Sequence, residues 1–199
     1  MTPTKVSIFL TRSSGRTGKL IVRGSTPISW MFKPKKRADV ATHGGLKIDF
    51  DVGHSMAAEA HVDTDWSVIP WQMILDKHNA DEDRRLWVFD IGEFTRDELE
   101  EIWARCSRQV GLWDYDKKQL LRLYLWRLSN RKVSVKKSQA IDCTEGLSRI
   151  LRPFKDVRKI AGVTKHDTVT PYNLQAGLID HGYECEEIDF DPMDAVGMA

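Results

Sequence analysis

In residues 42–50, Leu46, Ile48 and Phe50 fall on one parity and Lys47 and Asp49 on the other. That period of two marks a strand with one buried face. The same reading predicts strands at residues 5–11 and 19–23, joined as a hairpin through Ser13-Ser14-Gly15-Arg16-Thr17-Gly18. Further strands are predicted at residues 56–62, 66–71 and 86–91. Between them, residues 27–32 fit a helical turn and residues 33–37 a basic loop.

From Thr95 the period changes. Thr95 with Glu98 three residues on makes a capping box, and Leu99, Ile102, Trp103, Cys106 and Val110 recur at helical spacing until Gly111 stops the run. A second helix is predicted over residues 117–128 on Leu120, Leu121, Tyr124, Leu125 and Leu128, followed by a polar linker over 129–140. A third starts near Cys143, carries Leu147, Ile150 and Leu151, and ends before Pro153. A last one covers residues 171–179. Strands first and helices second point to an α+β fold.

Composition narrows the class. The 199 residues suit one domain, expected over 1–183, with a loosely ordered acidic tail over 184–199 that holds six acids between Glu184 and Asp194. Thirty basic and 29 acidic residues leave a net charge of +1, so no global field draws the chain to nucleic acid or anionic membrane. No apolar run approaches the ~20 residues of a membrane span, and Val6 to Leu10 is too short for a signal-peptide core, so a cytoplasmic product is expected. Cys106, Cys143 and Cys185 match neither a disulfide framework nor a zinc ligand set.

Two short motifs carry the chemistry. Thr42-His43-Gly44-Gly45-Leu46 opens a strand, and Ile141-Asp142-Cys143-Thr144-Glu145-Gly146-Leu147 opens a helix. A cysteine is a nucleophile as thiolate, and both a helix N-terminus and an adjacent imidazole favour that form. His43 supplies the imidazole if the fold sets its strand beside Cys143. The imidazole then needs an acceptor, and Glu59 sits on the following strand, where Ala57, Glu59 and His61 share one face.

This order of motifs, with Trp66 to Trp71, Gln109-Val110-Gly111 before Tyr115-Asp116, and Thr170-Pro171-Tyr172-Asn173-Leu174, resembles the circularly permuted NlpC-type papain-like cysteine hydrolases, in particular their YiiX/YaeF-like branch. The resemblance covers residues 18–175. It implies a permuted papain-like fold, with an antiparallel, partly barrel-like sheet packed against helices and a cleft between the layers. It also implies Cys143 as nucleophile, His43 as base and then acid, Glu59 as the polar third member, and the Cys143 N–H in an oxyanion hole. Asp142 stands where the family carries an aromatic or apolar residue, and its charge works against thiol ionisation. Gly146 replaces a large apolar residue.

The expected reaction is therefore thioester-mediated acyl transfer to water, with no metal or organic cofactor. The expected substrate is an amide in a peptide or peptidoglycan fragment. The alternatives are a lipid-directed acyl hydrolase or acyltransferase, and a catalytically silent binding or virion-associated protein. Other candidates read as ordinary structure: Cys106 as core, Cys185 as an exposed thiol, Glu145 as a first-turn acid suited to the helix dipole, and most tryptophans as core fillers, with Trp30 and Trp66 as possible cleft-lining residues. His54, His61, Asp63 and Asp65 lack a metal-ligand spacing. The basic runs at 33–37 and 131–137 lack the aromatics that stack bases, and Gly15 to Lys19 lacks the P-loop spacing.

Overall fold

The alternation of residues 42–50 becomes strand β2 (His43–Phe50) of a six-stranded sheet in the computed structural model. The structure describes residues 1–12, 40–61, 64–80, 84–114, 142–163 and 169–189. With β1 (Pro3–Arg12), β3 (Ser55–His61), β4 (Asp65–Pro70), β5 (Arg85–Asp90) and β6 (Cys185–Ile188), the strand order is β4-β3-β2-β1-β5-β6. Each neighbouring pair is antiparallel. The helices are α1 (Trp71–Asn79), α2 (Arg96–Arg108), α3 (Cys143–Leu151), α4 (Val157–Ile160) and α5 (Pro171–Asp180).

Strand parity sorts the side chains into two layers. Ile8 pairs with Leu46 and Phe89, and Leu46 pairs with Ala58, so these residues share a face. That face forms the larger core with Leu99, Ile102 and Cys106 of α2, Leu147, Ile150 and Leu151 of α3, and Leu174 and Leu178 of α5. On the opposite parity, Phe9, Ala57 and Leu86 pack with Trp71 and Ile74 of α1. Helices thus cover both faces, and burial of each large side chain contributes about 1.5–3 kcal/mol before entropy is counted.

Helix starts follow the sequence closely. Thr95 Oγ1 accepts the Glu98 N–H at 3.3 Å while Glu98 Oε2 accepts the Thr95 N–H at 2.8 Å, the expected capping box. Thr170 caps α5, with Pro171 at its first turn.

Several expectations are corrected. The sheet is open among the described residues, with β4 and β6 at its edges, where a partly barrel-like sheet was expected. Trp71 does not end a strand; it begins α1, with Pro70 in the capping position. Helix α2 stops at Arg108, and Val110 is exposed, because Gln109 N–H already turns back to the Cys106 and Ser107 carbonyls. The start of the acidic tail is ordered: residues 185–188 form β6 against β5, with Arg85 Nη1 on Glu187. β1 is bonded on one edge to β2 and on the other to β5 between Ser7 and Thr11, so its observed partners are not those of the predicted hairpin. The predicted strand at 19–23, the turn at 27–32, the helix at 117–128, both basic runs and residues 190–199 of the tail lie outside the described residues.

Candidate active site

Cys143 is the first residue of α3, and the residue before it explains why the helix begins there. Asp142 has extended backbone and its Oδ1 accepts the Glu145 N–H at 2.7 Å, an N-cap bond. The Asp142 carboxyl therefore turns onto the helix's own first turn and is 3% exposed. Burial pushes it up to about 6, against the hydrogen bonds from Glu145 and Thr144 that pull it down. The acid expected to oppose the thiol is thus a capping group.

His43 begins β2, and the β2–β3 register sets Gly45 opposite Glu59. His43 and Glu59 are then diagonal neighbours on one face, within reach of long side chains. Their contact is a hydrogen bond of 2.7 Å between Nε2 and Oε2. A carboxylate only accepts, so Nε2 carries the hydrogen and Nδ1 is the ring nitrogen left for Cys143, whose side chain also hydrogen-bonds His43. The three residues anticipated for the site are brought together.

The electrostatics follow from that packing. Burial by itself would push the His43 ring down; the electrostatic interactions and hydrogen bonds with Cys143 and Glu59 outweigh it and raise the ring to about 10. Glu59 is 2% exposed, and burial would push its carboxyl up. The charges on His43, Lys77 and His61 prevail and hold it below its ordinary range. Counter-charges keep an anion stable where water does not reach.

Neighbouring residues shape this end of the sheet. Lys77 of α1 places Nζ 3.8 Å from Glu59 Oε1, the oxygen not bonded to His43. The His61 ring stands edge-on to His43 with centroids 5.8 Å apart, and Phe9 does so at 6.4 Å. A Cβ at Gly45 would come within 2.5 Å of the Ala58 carbonyl and 2.7 Å of the Phe9 ring. At Gly44 it would meet Leu10 at 2.5 Å. The paired glycines thus make room for adjacent strands and for Phe9 beside His43.

Helix α5 ties the two halves together. The Thr144 hydroxyl bonds the Val169 carbonyl just before α5, and Gln175 Oε1 on α5 accepts the Ala41 N–H at 2.8 Å, two residues before His43. One short element thereby anchors the start of both α3 and β2.

Lys77 went unrecognised in the sequence because α1 did. Its signal was present: Trp71, Ile74 and His78 are spaced for one helical face and all three are buried. Trp66 is corrected from a cleft-lining residue to core, since it is 1% exposed and its indole donates to the Cys106 carbonyl at 2.9 Å. Cys106 is buried, and burial pushes its thiol up to about 12. Cys185 is exposed on β6. Glu145 bonds Arg149 at 2.9 Å along the helix. Trp30, Asp63 and Tyr115 lie outside the described residues. Among the described residues, no three His, Cys, Asp or Glu side chains are grouped to hold a metal ion, and no helix is long and apolar enough to cross a membrane.

No protein-family model matches the chain, and no curated protein sequence matches it significantly.

Proposed function

We propose that the protein is a thiol-dependent acyl hydrolase with Cys143 as nucleophile, on a permuted papain-like fold of the NlpC type. The observation that carries this reading is the His43 ring held between Glu59 and the Cys143 side chain, at a strand start and a helix start. His43 Nδ1 holds the proton taken from the Cys143 thiol, and the sulfur attacks the acyl carbon as thiolate. The imidazolium then protonates the leaving amine as the carbon–nitrogen bond breaks, and neutral His43 activates the water that releases the acyl group from sulfur. Glu59 fixes the tautomer through Nε2–H and supports the charged ring.

Two features support the oxyanion role of the Cys143 N–H. It belongs to the first helical turn, where backbone donors are oriented toward the N-terminus. The Asp142 carboxyl takes the Thr144 and Glu145 N–H groups instead. The substrate in this reading is an amide of a peptide or peptidoglycan fragment, and the compartment the cytoplasm.

The test is labelling by a broadly reactive acyl probe directed at cysteine, with the modified residue located by peptide mapping. Wild-type protein should be labelled at Cys143 at neutral pH. Cys143→Ala should lose that label and His43→Ala should be labelled at least about tenfold more slowly, the low end of what a positioned general base supplies. Equal labelling of Cys143 in wild type and His43→Ala would refute the assignment. Turnover of muropeptides against acyl esters then separates the amide substrate from a lipid ester.

A further inference from the structure

The acylation step of the proposed reaction creates an electrostatic problem that the site must solve. The Cys143 sulfur forms a bond to the acyl carbon, the carbon–nitrogen bond breaks, and the proton on His43 Nδ1 leaves with the amine. His43 is now neutral, and the thiolate charge is gone into the thioester. Glu59, with a side chain only 3% exposed, then faces the protein interior without its principal cation. An ionised carboxylate stranded in that way shifts toward its protonated form. A protonated Glu59 would donate a hydrogen bond to the ring instead of accepting one, and the tautomer needed for deacylation would be lost.

The groups that bear on Glu59 are His43 from β2, His61 from its own strand and Lys77 from α1, while Ser67 opposite it on β4 is uncharged. Lys77 is the ammonium among these, a compact point charge that takes no part in the proton transfers at His43. Its ammonium lies 3.8 Å from Oε1, on the side of the carboxylate away from His43. The distance is that of an ion pair across the carboxylate, and the Lys77 side chain is 42% exposed.

From this geometry we infer that Lys77 is a positioning residue: it keeps Glu59 ionised during the interval in which His43 has given up its proton. The purpose assigned to it rests on the hydrolase reading, whereas the pairing itself is independent of any activity. Lys77 touches neither the substrate nor Cys143 in this role. It acts through Glu59 on the tautomer and basicity of His43.

The test mimics the deprotonated ring with His43→Gln and follows the Glu59 carboxyl by carbon-13 NMR across a pH titration. In His43→Gln, Glu59 should stay ionised at neutral pH. In His43→Gln/Lys77→Met its titration midpoint should rise by about one pH unit or more, the lower end of the effect of an opposite charge at this range. His43→Gln/Lys77→Arg should return it to the His43→Gln value. Repeating the set with His61→Gln removes the other ring that bears on Glu59, and the Lys77 effect should persist. If His43→Gln/Lys77→Met fails to fold while the arginine version folds, the uncompensated charge has been exposed in a stronger form. Identical Glu59 midpoints with and without Lys77 would overturn the inference. Because the readout needs no turnover, its failure is distinct from failure of the labelling experiment.

Discussion

Two buried carboxylates flank the Cys143–His43 contact, and they respond to burial in opposite ways. Glu59, on the strand side, is held below its ordinary range; Asp142, on the helix side, is pushed up to about 6. Exposure does not separate them, at 2% and 3%. Their partners do. Glu59 faces His43, Lys77 and His61, which are cations or become so, whereas Asp142 faces backbone N–H groups, the Thr144 hydroxyl and the like charge of Glu145. Charge compensation, more than depth, decides which acid acts as an ion and which as a cap.

The largest effect should come from removing the compensated acid. Glu59→Ala strands the His43 charge and should cost about 3–5 kcal/mol in denaturant unfolding at neutral pH. The pH dependence has a definite sign. Since the Glu59 value is depressed, its contribution is present above its unfolded value of 4.5 and is lost as pH falls through the folded value. The gap between wild type and variant should therefore close in acid. A gap that widens there would break the contrast.

Asp142 should behave in the reverse sense. Asparagine can still cap the helix. With a folded value raised to about 6 from 3.8, the stabilising contribution of Asp142 is fully present below 3.8 and lost as pH rises through about 6. Wild type should lose about 2–3 kcal/mol relative to Asp142→Asn as the pH rises from about 3.8 to about 6, by unfolding at matched conditions. A pH-independent difference would place the carboxyl in a solvated site.

Two uncharged substitutions sharpen the comparison without altering either acid. At the strand end, Gly45→Ala drives a methyl into Phe9 and the Ala58 carbonyl and should cost about 2 kcal/mol by thermal or denaturant unfolding. At the helix end, Thr144→Val deletes the hydroxyl that bonds the Val169 carbonyl and lies 2.9 Å from Asp142 Oδ1. It should cost about 1 kcal/mol and leave the tryptic map of the folded protein unchanged. A Gly45→Ala variant as stable as wild type would mean that Phe9 has room to move away from His43.

Much of this arrangement is legible in the sequence, and the reasons differ by element. β2, α2 and α5 announce themselves through alternation, a capping box and a Thr-Pro start, all of them local signals. The His43–Glu59 contact is legible as well, because parity puts Glu59 on a definite face and antiparallel pairing supplies the diagonal. α1 was missed because the apolar run from Trp66 passes straight through Pro70 into Trp71, hiding the change of period. β6 was missed because Cys185-Glu186-Glu187-Ile188 has almost no strand character of its own; pairing with β5 and the Arg85–Glu187 contact hold it. Lys77 depends on α1 lying over β3, a tertiary fact that no spacing encodes. Asp142 reads in the sequence as a charge opposing the thiol, and only the turn of its carboxyl onto the α3 backbone makes it a cap.

The central claim is that Cys143 and Glu59 together hold the proton on His43, and NMR titration of the His43 ring tests it most directly. Wild type should titrate near 10, and the midpoint should fall in both Cys143→Ala and Glu59→Gln. A wild-type ring that titrates near its ordinary 6.5, unmoved by either substitution, would contradict the account.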